Sequence, residues 1–161
     1  MSVTADIAAS YRAPGRVMRR LMARGQREDL ALVFLMASCA IMFITQMPRL
    51  ARQAYLTGQD RNMLLGASLF AWIFIAPLLF YGLAALSHMV ARLFGGAGSW
   101  YGARLALFWS FLASTPVLCL YGLVAGVIGP GPQLQAIGAL WVAVFLWFWI
   151  STLRQAERPS T

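Results

Sequence analysis

Four long apolar runs, separated by short polar or glycine-rich breaks, fill the chain after residue 29. The first is Leu30 to Met47, ended by Pro48. The second is Met63 to Leu86. The third is Tyr101 to Ile128, ended by Gly129-Pro130-Gly131-Pro132, and the fourth is Leu134 to Leu153. A helix rises about 1.5 Å per residue and a hydrocarbon core is roughly 30 Å thick, so about 20 apolar residues make one span. The predicted fold is all-α, a polytopic membrane helical bundle. Its domain, residues 30–153, holds four transmembrane helices over 30–47, 63–86, 101–128 and 134–153, with an arm at 1–29 and a tail at 154–161.

The arm has a periodicity of its own. Over Pro14 to Gly25, Val17, Met18, Leu21 and Met22 fall on one helical face, and Arg16, Arg19, Arg20 and Arg24 on the other. That spacing is amphipathic, and Pro14 suits a first helical position. A basic amphipathic helix lies in a membrane surface with its arginines near anionic headgroups. Arg16, Arg19, Arg20 and Arg24 are therefore the predicted contacts with an anionic inner leaflet. The arm leads directly into a span, which argues against a nucleic-acid surface, and no small-residue cleavage site follows, so it does not read as a signal peptide. Beyond the first span, Pro48 to Leu56 reads as a short surface helix stopped by Gly58.

In the third run, positions 102, 106, 110, 114, 118, 122 and 126 are Gly, Ala, Ser, Ser, Leu, Gly and Gly. Lipid tails are as apolar as leucine, so small residues at i, i+4 mark where helix backbones approach closely. Gly102, Ala106, Ser110, Ser114, Gly122 and Gly126 form the predicted packing face, against the chain's own bundle or a partner. Pro77 and Pro116 are the predicted kinks. Each removes a donor and frees a carbonyl one turn earlier, and in lipid that carbonyl needs a new partner; Ser114 and Thr115 stand beside the second kink. Pro77 precedes Tyr81-Gly82-Leu83 and Pro116 precedes Tyr121-Gly122-Leu123, a hint of the paired broken helices of repeat-built transporters. The second helix, extended from Leu64 to Phe94, would be about 46 Å long. Ser87 to Phe94 should then emerge from the bilayer with His88 and Arg92 one turn apart. Gly95-Gly96-Ala97-Gly98 ends it, and Ser99 is a candidate N-cap. The fourth helix carries Trp141, Phe145, Trp147, Phe148 and Trp149, read as an interfacial belt.

Composition sharpens the class. Only 11% of residues are charged, against roughly 25% in soluble domains. All 13 basic residues are arginine, which points to GC-rich codons and a bacterial genome. Ten lie in the arm, the second connection and the tail, and Arg49, Arg52 and Arg61 in the first connection. That asymmetry predicts an inner plasma membrane with both termini cytoplasmic. Cys39 and Cys119 fall in apolar helices without a CxxC partner and read as small buried hydrophobes.

Apart from Arg104 near the start of the third, counted with the second connection, the predicted spans hold no Asp, Glu, Lys, Arg or His of the kind that proton and ion pathways use. A single His, His88, supports neither a His-based metal cluster nor a His-paired nucleophile. It reads as an interfacial or packing His bonded locally, with a pH-sensitive contact or a haem ligand in a dimer as the sharper alternatives. Glu28 and Asp29 favour the dipole at the start of the first span. No catalytic residue, cofactor site or metal site is predicted, and no enzyme.

The middle of the chain resembles the Yip-type membrane domain, the multi-pass family of Ypt/Rab-interacting proteins. The resemblance rests on Leu83-Ala84-Ala85-Leu86-Ser87-His88-Met89-Val90-Ala91-Arg92-Leu93-Phe94-Gly95-Gly96, then Gly98-Ser99-Trp100, then a helix containing Pro116. It implies membrane shaping, trafficking or adaptor work and no catalytic residue; four spans are predicted here where that family usually has five. The expected function is a non-enzymatic membrane adaptor or scaffold acting through helix packing on another membrane protein or on itself. One alternative is an accessory subunit of a respiratory or photosynthetic complex. Another is a small transporter lined by Ser38, Thr45, Gln46, Ser68, Ser110, Ser114, Thr115 and Ser151.

Overall fold

The computed structural model of the protein describes residues 2–158, most of them helical and none in a strand. Eight α-helices follow in order: α1 (Val3–Ser10), α2 (Pro14–Met22), α3 (Glu28–Thr57), α4 (Arg61–Phe70), α5 (Ala76–Leu93), α6 (Trp100–Ala113), α7 (Thr115–Val127) and α8 (Pro132–Ala156). A π-helical turn, Ala71–Ile75, joins α4 to α5. The helices α3, α4–α5 and α8 are long and apolar enough to cross a membrane, and α6 with α7 makes a fourth span if that bent pair is one crossing. This is the make-up of an integral membrane protein. The end of the predicted tail, residues 159–161, lies outside the described residues.

Helix α3 corrects the first predicted boundary. It does not stop at Pro48 but runs on to Thr57, ending at left-handed Gly58 (φ 67°). No separate surface helix follows Pro48. A proline removes one backbone donor, and a membrane helix tolerates that loss where a neighbour packs on it. Here Pro48 seats against Gly126 of α7.

Pro77 also leaves its helix continuous from Arg61 to Leu93. The π turn lies just before it, and the Ala76 N–H donates to the Ala71 carbonyl five residues back. Widening the turn by one residue is how helices accommodate an inserted irregularity. The break comes instead at Ser114, where α6 and α7 meet at 44°.

Helix α6 is the centre of the molecule. Every residue from Tyr101 to Ala113 except Arg104 is buried, enclosed by α3, α5, α8 and α1. Trp109, Phe108 and Phe111 are among the largest fully enclosed side chains. A helix that is apolar all round belongs inside a bundle. Helix α7 packs on α3 and α8, and α2 on α8. An Arg104–Glu28 ion pair and a His88–Glu157 pair gather the starts of α3 and α6 and the ends of α5 and α8 at one end. The α4–α5 helix lies at the edge, with only 6% of its apolar window buried.

Candidate functional site

The small-residue face is used within the chain, and it changes partner at the bend. Its first half meets α8. A Cβ on Gly102 would lie 3.3 Å from the Ala156 Cβ. The Ser110 hydroxyl donates to the Ala106 carbonyl (2.7 Å) and stands 3.0 Å from the Thr152 hydroxyl. The Ser114 hydroxyl accepts from the Trp141 indole N–H (3.1 Å). Its second half meets α3: Gly122 lies against the Thr45 backbone and Gly126 against Pro48. Leucine in place of Ser110, a fully enclosed residue, adds bulk where none fits and removes a hydroxyl bond. About 2–4 kcal/mol of destabilisation is expected, against about 1 kcal/mol for Ser110→Ala. Size-exclusion profiles after graded heating check this; equal profiles for Ser110→Leu and wild type would remove α8 as the partner of this face.

The bend shows how a proline is repaired in an apolar setting. Pro116 leaves the Leu112 carbonyl without its helical donor, and the Thr115 hydroxyl donates to that carbonyl at 2.7 Å. Ser114 donates to the Phe111 carbonyl (2.8 Å). Ser38 and Thr45 likewise bond carbonyls of their own helix. Five of the hydroxyls weighed as a transport lining are thus engaged with backbone, as serine and threonine commonly are in helices.

The densest polar cluster stands where α5, α6 and α8 converge. With Glu157 ionised, the His88 Nδ1–H donates to Glu157 Oε1 at 2.7 Å, and both side chains are buried. Glu157 Oε2 accepts the Gly98 N–H (3.0 Å), and its main-chain carbonyl accepts the Ala97 N–H (3.0 Å). Trp100 covers the imidazole, ring centroids 4.5 Å apart. The loop must be this lean: a Cβ on Gly96 or Gly98 would come within 2.7 or 2.8 Å of Glu157 Oε2. His88 therefore does not emerge into solvent, and its bond is not local. Its partner is 69 positions away in the predicted tail. Sequence reading missed Glu157. The available signals were the sole histidine and a glycine loop small enough to admit a carboxylate.

The arm is also placed differently. The apolar face of α2 is as expected, with Val17, Met18 and Leu21 buried, but protein rather than lipid covers it. Helix α1 was not anticipated. It is anchored on α6, where the Trp109 indole N–H donates to the Ser10 hydroxyl (3.1 Å) and the Tyr11 hydroxyl donates to the Ala113 carbonyl (3.1 Å). Burial pushes the Tyr11 phenol up, which keeps it a donor. Arg20 pairs with buried Asp6 (2.9 Å). Arg16, Arg19 and Arg24 are exposed.

At the opposite end, Arg52 donates to the Val127 carbonyl (3.2 Å) and caps the C-terminus of α7, where a cation meets the negative end of the helix dipole. A local packing duty thus accounts for one of the three arginines in the first connection. The aromatic residues of α8 are not simply a belt. Trp141, Phe145 and Trp149 stack in series at 5.5 and 5.8 Å, and Phe145 touches Phe111 of α6. Cys39 is buried, whereas Cys119 faces outward. Among the described residues no three His, Cys, Asp or Glu side chains are grouped to hold a metal.

No family model, no curated protein and no solved structure matches this chain.

Proposed function

We propose that this chain is a non-enzymatic integral membrane scaffold or adaptor that presents its α4–α5 helix to another membrane protein. One observation carries the reading. Helix α6 and its small residues are packed against the chain's own helices, while the 33-residue Arg61–Leu93 helix has 6% of its apolar window buried. The outward side chains include Phe74, Leu78 and Leu79. A bundle that closes on its own centre and leaves its least buried long helix at the edge, ahead of α8 with 11% of its window buried, suits docking in the bilayer plane. An accessory subunit of a larger complex is the form such docking would take if the partner is permanent.

The proposal includes a bacterial inner membrane with both termini cytoplasmic. The arginine asymmetry between the two ends supports it, and the packing role of Arg52 weakens the strongest exception. The Yip-type resemblance belongs to the same proposal and rests on residues 83–122.

A photoreactive residue at Leu78, 74% exposed, tests the docking. In native membranes it is expected to yield one protein adduct of defined mass, with none from the same probe at fully buried Met18. Lipid adducts alone from Leu78, and also from Phe74 and Leu79, would overturn the adaptor reading.

A further inference from the structure

The α1–α2 hairpin holds a cleft of about 610 Å³ lined by Arg12, Arg16 and Arg20, with Ala8, Ala9 and Ala13 among the other lining residues. The three arginines are spaced by four. Asp6 is the sole acidic residue before Glu28, and it is 3% exposed and engaged with Arg20. Arg12 and Arg16 meet no acidic partner among the described residues. Like charges gathered in one cleft repel one another, and free arginine side chains on a loose arm would spread apart. This arm is not loose. Ser10 and Tyr11 tie it to α6, and Val17, Met18 and Leu21 are buried in the bundle. The fold therefore holds two unpaired guanidiniums beside small side chains, in a cleft of headgroup size. Planar guanidinium forks match phosphate oxygens in geometry as well as charge.

We propose that this cleft is a stoichiometric site for a phosphate-bearing anion, gripped by Arg12 and Arg16, with Arg20 held in place by Asp6. The same chemistry belongs to an anionic phospholipid headgroup and to a soluble phosphate. The site lies at the end of the bundle that carries Gln155, which approaches Gly15. The inference rests on the membrane placement in the proposed function and adds a role for the arm. It fails separately from docking, because crosslinking at Leu78 does not involve the arm. It also revises which arginines matter: Arg12 enters, while Arg19 and Arg24 lie outside the cleft.

The test compares variants of equal charge. The full chain is placed in nanodiscs of phosphatidylcholine with a minor share of phosphatidylglycerol, and retained lipid is counted by native mass spectrometry. Inorganic pyrophosphate is titrated separately into lipid-free detergent samples. Wild type is expected to retain one phosphatidylglycerol per chain, or to be saturated by pyrophosphate if the natural anion is soluble. Arg12→Gln with Arg16→Gln should weaken whichever ligand binds by about tenfold or more, whereas Arg19→Gln with Arg24→Gln should change it less than about twofold. Arg12→Lys with Arg16→Lys keeps the charge but not the fork, and should fall between them. All four arginines are exposed, and unchanged helical content and elution confirm that each variant folds. Equal loss in both glutamine pairs means diffuse attraction and overturns the site. So does a wild type that retains neither ligand.

Discussion

Gly122→Ala is expected to destabilise the bundle by about 2–3 kcal/mol or more, the scale of forced overpacking, whereas Gly66→Ala and Gly82→Ala leave it unchanged or slightly more stable. All three glycines are helical, and a general helix-propensity argument would favour alanine at each by about 1 kcal/mol. The surroundings separate them. A Cβ on Gly66 or Gly82 meets nothing within 4 Å. On Gly122 it would press into the Thr45 carbonyl oxygen and lie 2.8 Å from the Thr45 Cβ. The obstacle is backbone, so Thr45→Ala does not rescue the variant, and α3 and α7 must separate along their shared face. Thermal midpoints of the purified protein, read by size exclusion after heating, measure the difference. A Gly122→Ala midpoint equal to that of wild type would mean that α3 and α7 are not in backbone contact.

The glycine contact was legible in the sequence only as a class of contact. Small residues at i, i+4 announce close approach, and from Gly102 to Gly126 the face packs helix on helix. What the spacing does not encode is the partner. A bend of 44° at Ser114 turns the same stripe from α8 to α3. The apolar runs were legible because burial in lipid needs length and little else. Helix ends were less so, since a proline reads as a stop in water but as a local repair problem inside a bundle. Pro48 is carried through α3 beside Gly126, Pro77 follows a π turn, and Pro116 is repaired by Thr115. Thr115 was visible as a nearby hydroxyl. The π turn was not, because nothing in Ala71-Trp72-Ile73-Phe74-Ile75 distinguishes it from α-helix. The arm showed its two faces plainly, but amphipathicity cannot say whether lipid or protein covers the apolar one. That depends on α8, more than a hundred residues further on.

Removing one member of the His88–Glu157 pair is expected to have the other large effect. His88→Ala leaves the Glu157 carboxylate buried with the Gly98 N–H as its remaining side-chain partner. Glu157→Ala strips the imidazole of its acceptor and the loop of its anchor. Breaking a buried pair from one side costs about 3–5 kcal/mol, because the survivor stays desolvated. With Glu157 8% exposed and His88 1% exposed, the lower part of that range is expected for each. Glu157→Gln keeps one oxygen, for the Gly98 N–H, and turns an amide N–H toward the His88 Nδ1, which accepts it in the other neutral tautomer; it should lose about half as much. Removing both partners leaves neither ring nor carboxylate orphaned, and the Gly98 N–H loses its acceptor in the Glu157→Ala single variant as well, so the double variant should be more stable than the sum of the single losses by about 1–3 kcal/mol, the coupling of groups in contact. Chemical unfolding of the four proteins in one detergent closes that cycle. If the losses add, the two groups do not interact, and the ends of α5 and α8 are held together by Trp100 and the glycine loop alone. Coupling would instead identify this pair as what ties the residues after α8 to the α5–α6 loop, at the end of the bundle where the arginine arm is also docked.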